Sequence, residues 1–125
     1  MNITEACVII VKNDLGEILL LKRTKEDRIY PNIYCLPGGK VNSGENLIDA
    51  ASRELWEETE IRSYNLTNID NVNFDWFKVS VFLCEDIINN ITISDEHCDF
   101  IWTNDFTDEK IGLNTKNIIN NYLKK

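Results

Sequence analysis

The amino-acid sequence predicts a mixed α/β (α+β) fold, in which a mixed β-sheet is covered by helices. Three observations predict it. Short β-branched and aromatic runs recur along most of the chain, one uninterrupted stretch over residues 46–60 has helical periodicity, and a shorter helical stretch lies at the end.

Residues 5–12 are nearly all apolar and β-branched, turn chemistry follows at Asn13-Asp14-Leu15-Gly16, and residues 17–22 become apolar again. This pattern predicts a β-hairpin. Residues 24–32 are charged and end in Tyr30-Pro31, which predicts a surface loop, and Pro37-Gly38-Gly39 breaks the chain once more. Residues 46–60 contain neither Gly nor Pro, and Ile48, Ala51, Leu55 and Thr59 recur at spacings of three and four, the mark of an amphipathic helix. Two strands are predicted over 66–74 and 76–84, with a tight connection near Asp75. A short strand over 100–103 and a helix from about 115 to 124 complete the list. No internal repeat is found, and the Asn- and Ile-rich stretch 87–91 is too short to be low-complexity sequence.

A length of 125 residues predicts one domain spanning 1–125. No apolar run is long enough to cross a bilayer and no signal pattern opens the chain, so a cytoplasmic protein without membrane contact is expected. The four cysteines, Cys7, Cys35, Cys84 and Cys98, are widely spaced and form no Cys-x-x-Cys pair, so they are read as reduced, mostly buried thiols. Thirteen basic against twenty-one acidic residues give a net charge of −8, which argues against stable nucleic-acid binding. An anionic small molecule is not excluded, because bound divalent cations reverse the field that a phosphate meets.

The acids are concentrated. At about 100° per residue, Glu54, Glu57 and Glu58 fall on one third of the helix circumference beside Ala51 and Leu55. Glu54 and Glu58 form a like-charge i,i+4 pair, and all three occupy the last turns, where the helix dipole disfavours anions by about 0.3 to 1 kcal/mol each. Arg53 can reach Glu57, but one arginine cannot neutralise Glu54, Glu57, Glu58 and Glu60 together. Oxygen ligands gathered without cysteine or histidine suit Mg²⁺ or Mn²⁺. An acidic helix face alone is ordinarily just solvated, but here the turns Pro37-Gly38-Gly39 and Asn42-Ser43-Gly44 and the acid Glu45 precede it.

This segment resembles the Nudix box: Gly, five residues, Glu, seven residues, Arg-Glu, an aliphatic residue, any residue, Glu-Glu, any residue, Gly and an aliphatic residue. Gly39, Glu45, Arg53, Glu54, Leu55, Glu57, Glu58 and Ile61 match it. The single-type matches together have a random probability on the order of one in ten million per starting position. Glu60 stands where the box has glycine, a position at which a left-handed glutamate costs about 1 kcal/mol. Either the helix ends differently or Glu60 joins the site. Residues 18–23 and 36–40 resemble the second strand and box entry of MutT-like members, and Glu96, six residues before Trp102, resembles their additional acid.

The resemblance implies an α/β/α sandwich with a mixed sheet and a loop-helix-loop box, and metal-dependent hydrolysis of a nucleoside diphosphate linked to another group. On that reading Glu54, Glu57 and Glu58 hold Mg²⁺ or Mn²⁺, with Glu96 or the Gly39 backbone adding a ligand. Glu54 or Glu96 is the general base, and Glu45 and Arg53 orient the carboxylates. Arg23, Gly38, Lys40 and Asn114 contact the substrate, although Asn114 also fits a helix cap. Tyr34, Phe74, Trp76 and Phe77 can stack on a base, a role that strand aromatics share with simple cross-strand packing. His97 receives no role. A MutT-like nucleoside triphosphate pyrophosphohydrolase is the leading expectation. ADP-ribose or nucleotide-sugar hydrolysis and a non-catalytic nucleotide-binding module are the alternatives, each as monomer or homodimer.

Overall fold

The computed structural model describes residues 3–63, 65–86 and 90–125. In chain order the elements are β1 (Thr4–Val11), β2 (Ile18–Arg23), β3 (Tyr34–Cys35), β4 (Gly38–Lys40), α1 (Leu47–Thr59), β5 (Thr67–Phe74), β6 (Phe77–Cys84), β7 (His97–Thr103) and α2 (Leu113–Leu123). Residues 87–89, part of the Asn- and Ile-rich stretch, lie outside the described residues.

The strands form a four-stranded mixed sheet in the order β4-β1-β6-β5 and a three-stranded antiparallel sheet in the order β3-β2-β7. β1 runs parallel to β6 from Thr4↔Phe77 to Val11↔Cys84, and its other pairings and those of β6 are antiparallel.

The expected hairpin of β1 and β2 does not form. Asn13 folds the turn, its Oδ1 accepting from the backbone N–H groups of Leu15 and Glu17, and Gly16 supplies a φ of 78°. Beyond the single bridge Lys12↔Ile18, however, the two strands part into different sheets. Burial explains the separation. Ile9, Ile10 and Val11 are fully buried, as are Leu19, Leu20 and Leu21, so both strands are covered on both faces, whereas a hairpin exposed on one side alternates apolar with polar residues.

Successive side chains of these strands feed two cores. Ile9, Val11, Leu19 and Leu21 join Ala50, Ala51 and Leu55 of α1, while Ile10, Ile18 and Leu20 join Ile118 and Ile119 of α2. One helix therefore covers each side, the layering expected of the fold. Cys7 and Cys84 are buried, Cys35 is half-buried with burial raising the pKa of its thiol, and Cys98 is exposed.

α1 buries Ala50, Ala51, Leu55, Glu58 and Thr59. Ile48, assigned to the apolar stripe by spacing, is 48% exposed in the first turn, and burial along the helix begins at Ala50. The helix ends at Glu60 with φ 57° and ψ 23°, the left-handed conformation for which glycine is usual. Its N–H still reaches Trp56 O at 2.8 Å, and its side chain is exposed. The bend is held by its surroundings: Thr92 N–H donates to Thr59 O, Ser94 N–H to Glu58 O, and Thr59 Oγ1 both donates to Leu55 O and accepts from Ile61 N–H.

Three other boundaries differ from expectation. Pro37-Gly38-Gly39 is no simple break, since Gly38 and Gly39 pair with Val8 and Cys7 in the sheet. β7 begins at His97, because Arg23↔His97 extends the ladder with β2. α2 begins at Leu113 with Gly112 in the N-cap position, so Asn114 is inside the first turn and is not the cap.

Candidate active site

The β1–β4 ladder and the last turns of α1 build the site. Gly38 lies so close to β1 that a Cβ there would run into the Cys7 carbonyl, and a Cβ on Gly39 would stand 2.6 Å from the Glu54 carboxylate. Both glycines thus give room: the first to a backbone, the second to a side chain. Gly38 N–H donates to Glu58 Oε1 at 2.9 Å. The chain then turns through Gly44, with φ 79°, and Asn42 N–H donates to Glu45 Oε1 at 3.0 Å, which fixes Glu45 beside the start of the helix.

Arg53 is the hub of the acid cluster. Its Nε and Nη2 donate to the two oxygens of Glu45 at 2.9 and 3.0 Å, a bidentate pair. Nη1 donates to Glu54 Oε1 at 2.9 Å and to Glu57 at 3.3 Å, and Nη2 also reaches the Lys40 carbonyl at 3.0 Å. The Glu45 hydrogen bonds, followed by Glu54, hold the guanidinium pKa above its ordinary value despite desolvation, and Arg53 in turn depresses the pKa of Glu45.

The remaining carboxylates are strained electrostatically. Burial pushes Glu58 up to about 8, opposed by the Gly38 N–H and reinforced by the charges of Glu54 and Glu96. Burial also raises Glu54, against the pull of Arg53, and Glu57 and Glu96 add to the rise. The Glu57 side chain is 53% exposed, so the three helix acids do not converge equally. Glu96 is exposed, on the turn closed by His97 N–H donating to Ser94 O.

A second arginine faces Glu58. Arg23, at the end of β2, lowers the Glu58 pKa, and its Nη1 donates to Asp27 Oδ2 at 3.0 Å. Two further residues meet Arg23: Asp27, which the sequence did not single out, and His97, which received no role. Asp27 lay in what read as an ordinary charged loop; its only signal was an Asp placed to accept from the N–H groups two and three residues on, as it does from Ile29 and Tyr30. His97 is buried, opposite Arg23 in the ladder, and among the described residues its Nδ1 has no hydrogen-bond partner; burial, then the Arg23 charge, lowers its pKa to about 4. That neighbour depends on strand pairing, which a sequence does not display.

Lys40 is exposed, and its carbonyl belongs to the Arg53 network. Asn114 is exposed on α2, next to residues tied to β3 by Gly112 N–H donating to Tyr34 O, and among the described residues no hydrogen bond joins it to the acid cluster. Of the aromatics, Tyr34 lies under Lys22, with Nζ 5.9 Å from the ring centroid, while Trp76 is 49% exposed at the β5–β6 turn, its ring 6.0 Å from that of Phe77.

The sequence matches the family model of the NUDIX domain over residues 1–115. The chain belongs to the NUDIX family. A solved structure, the MutT protein from Methanosarcina mazei Go1, is 27% identical and superposes with a TM-score of 0.86, covering 99% of this chain and 97% of that one. The MutT NUDIX hydrolase from Burkholderia pseudomallei shares the fold, with a TM-score of 0.84 at 24% identity over 96% of this chain and 98% of that one. Among curated proteins, the m7GpppN-mRNA hydrolase NUDT17 of Xenopus laevis is 43% identical over 54 residues, which cover 43% of this chain and 18% of that protein. A putative 8-oxo-dGTP diphosphatase of Bacillus subtilis (strain 168) is 41% identical over 56 residues, 45% of this chain and 34% of that protein. The match thus spans well under half the length of either curated relative.

NUDIX hydrolases generally use divalent metals, and the donor set of this NUDIX chain fits one. Among the described residues no three His, Cys, Asp or Glu side chains form a ready-made cage. Yet Arg53 engages only Oε1 of Glu54 and Gly38 only Oε1 of Glu58, so each carboxylate keeps its second oxygen. Hard oxygen donors whose pKa values are raised by burial and by one another's charge suit a hard cation, which would reverse that penalty. No helix among the described residues is long and apolar enough to cross a membrane.

Proposed function

We propose that this chain, acting as a single domain, is a Mg²⁺- or Mn²⁺-dependent pyrophosphohydrolase of MutT type that converts a nucleoside or deoxynucleoside triphosphate to the monophosphate and pyrophosphate. The observation that carries the reading is the Arg53 network: it holds Glu45, Glu54 and Glu57 in place while Glu54 and Glu58 keep an oxygen each for a cation. The near-complete mutual coverage with the Methanosarcina mazei MutT protein supports the MutT type, and the name of the Bacillus subtilis relative supports the choice of substrate. The Xenopus laevis relative is named for hydrolysing capped mRNA, but a net charge of −8 offers a long RNA little electrostatic attraction.

Glu54 and Glu58, with Glu57, Glu96 and the Gly39 backbone at hand, would hold the metal. A bound Mg²⁺ or Mn²⁺ supplies charge neutralisation at the phosphate oxygens and lowers the pKa of a water. Arg53 keeps Glu54 oriented, and Arg23, Gly38, Lys40 and Asn114 contact the nucleotide. Glu54 or Glu96 takes the proton of the attacking water; the new P–O bond forms as the anhydride P–O bond breaks, and pyrophosphate leaves. Four free thiols agree with a reducing, cytoplasmic setting.

A screen of canonical and oxidised (deoxy)nucleoside triphosphates, ADP-ribose and nucleotide sugars with Mg²⁺ or Mn²⁺, reading pyrophosphate against phosphate release, tests the proposal. Pyrophosphate release from a triphosphate is expected. Turnover of ADP-ribose or a nucleotide sugar alone would replace the substrate. Binding without turnover, unchanged by Glu57→Gln, would make the chain a nucleotide-binding module.

A further inference from the structure

We infer that Asp27 is a positioning residue for the reaction, acting through Arg23: it locks the guanidinium at the mouth of the acid cluster so that the arginine meets the phosphate chain already oriented. The inference rests on the reading that Arg23 contacts the substrate.

The two arginines of the site are held in different ways. Arg53 is surrounded by carboxylates and reaches Glu45, Glu54 and Glu57. Arg23 has, among the described residues, one ion-pair partner, Asp27. The pair is only partly exposed, the Arg23 side chain at 33% and Asp27 at 20%, so solvent screens it less than a surface contact.

Asp27 divides its oxygens between two tasks. Oδ2 accepts from Arg23, while Oδ1 accepts from the backbone N–H groups of Ile29 at 3.0 Å and Tyr30 at 2.8 Å. The same loop is closed at its base by Arg23 N–H donating to Ile33 O, and Asp27 N–H donates back to Thr24 O. One carboxylate thus couples the fold of the loop to the side chain at its root. The Tyr30 ring, its centroid 5.9 Å from the guanidinium carbon, and the Cys35 side chain beside it add to the restraint. Among the described residues Arg23 Nε is buried with no hydrogen-bond acceptor, so turning the guanidinium away from Asp27 would surrender its ion pair. A long, flexible cation fixed before the ligand arrives loses less rotamer entropy on binding.

A double-mutant cycle tests this, using Arg23→Ala, Asp27→Asn and the double variant on dGTP with Mg²⁺. Asp27→Asn keeps an oxygen for the loop N–H groups and removes the charge, so KM is expected to rise about threefold to tenfold with kcat within about twofold. In the Arg23→Ala background the same change is expected to have no further effect, and Asp27→Glu to recover part of the loss. The Arg23 Nη–H resonances, observed by NMR without substrate, are expected to lose their protection in Asp27→Asn, because Asp27 accepts from Nη1. Thermal melts of each variant separate positioning from unfolding. An additive cycle, an unchanged KM, or a KM effect accompanied by unchanged Nη–H resonances overturns the inference. Should ADP-ribose or a nucleotide sugar be turned over and dGTP not, the substrate reading fails by itself, and the cycle is decided on that other substrate.

Discussion

The Glu54 carboxylate lies directly against the backbone of Gly39, where a Cβ would approach it to 2.6 Å, while at neighbouring Gly38 the obstacle is the backbone of β1. Alanine at the two positions should therefore fail differently. Gly39→Ala is expected to displace Glu54 and reduce kcat, with the melting temperature nearly unchanged. Gly38→Ala must force β4 off β1 and is expected to cost about 1 to 3 kcal/mol or more. Melting curves beside steady-state kinetics distinguish them; equal losses in both quantities for both variants would contradict the assignment.

Glu60 adopts the left-handed conformation without being glycine. Glu60→Gly should relieve that strain, stabilising the protein by about 1 kcal/mol, or roughly 3–5 °C in melting temperature. A lower melting temperature would show that the glutamate side chain contributes more than its backbone costs.

Arg53 donates from three nitrogens at once, a geometry that lysine cannot copy. Arg53→Lys is expected to lower kcat about tenfold to a hundredfold, the range typical of groups that orient metal ligands, with unaltered circular dichroism. Wild-type kinetics would show that charge suffices and the fork is dispensable.

Glu58 and His97 set the pH dependence of metal-free stability. Glu58 keeps its proton up to about 8 when folded, against 4.5 as its ordinary value. The folded chain therefore binds the extra proton between these values, and stability falls as pH rises through 8. His97 works in the opposite direction: its folded value is about 4 against 6.5, so stability is lost as pH falls from 6.5 towards 4. Between about 6.5 and 8.5 the His97 contribution is constant, and the slope comes from the raised glutamates, Glu58 foremost with Glu54 beside it. Melting temperatures of the metal-free protein should decline across that window, and both Glu58→Gln and added Mg²⁺ should flatten the decline. A decline that persists in Glu58→Gln would assign it to another group.

The parts of this molecule that were legible in the sequence are those governed by local rules. α1 could be read because its periodicity and the absence of Gly and Pro act within a few turns, and the β5–β6 hairpin because Asp75 lies between two alternating runs. The acid cluster was legible as spacing: Arg53 does reach Glu57, and Glu45 is beside it. What spacing could not give was depth. Glu58 is buried and Glu57 half exposed on the same helix, because Glu58 turns to the Gly38 N–H of β4 while Ser94 bonds its carbonyl, partners that helical spacing does not display. The partition of β1 and β2 into separate sheets, and the meeting of Arg23 with His97, likewise depend on which strands pair.

Because β1 is hydrogen-bonded along its whole length to β6, Val8 opposite Val81 and Val11 opposite Cys84, the strand that carries β4 and its glycines is completed only by residues made some seventy positions later. During synthesis the first half of the chain therefore presents a bare, apolar β edge until β6 emerges. Fragments ending before Phe77 should aggregate, and the helix acids should be among the last groups to reach their native arrangement.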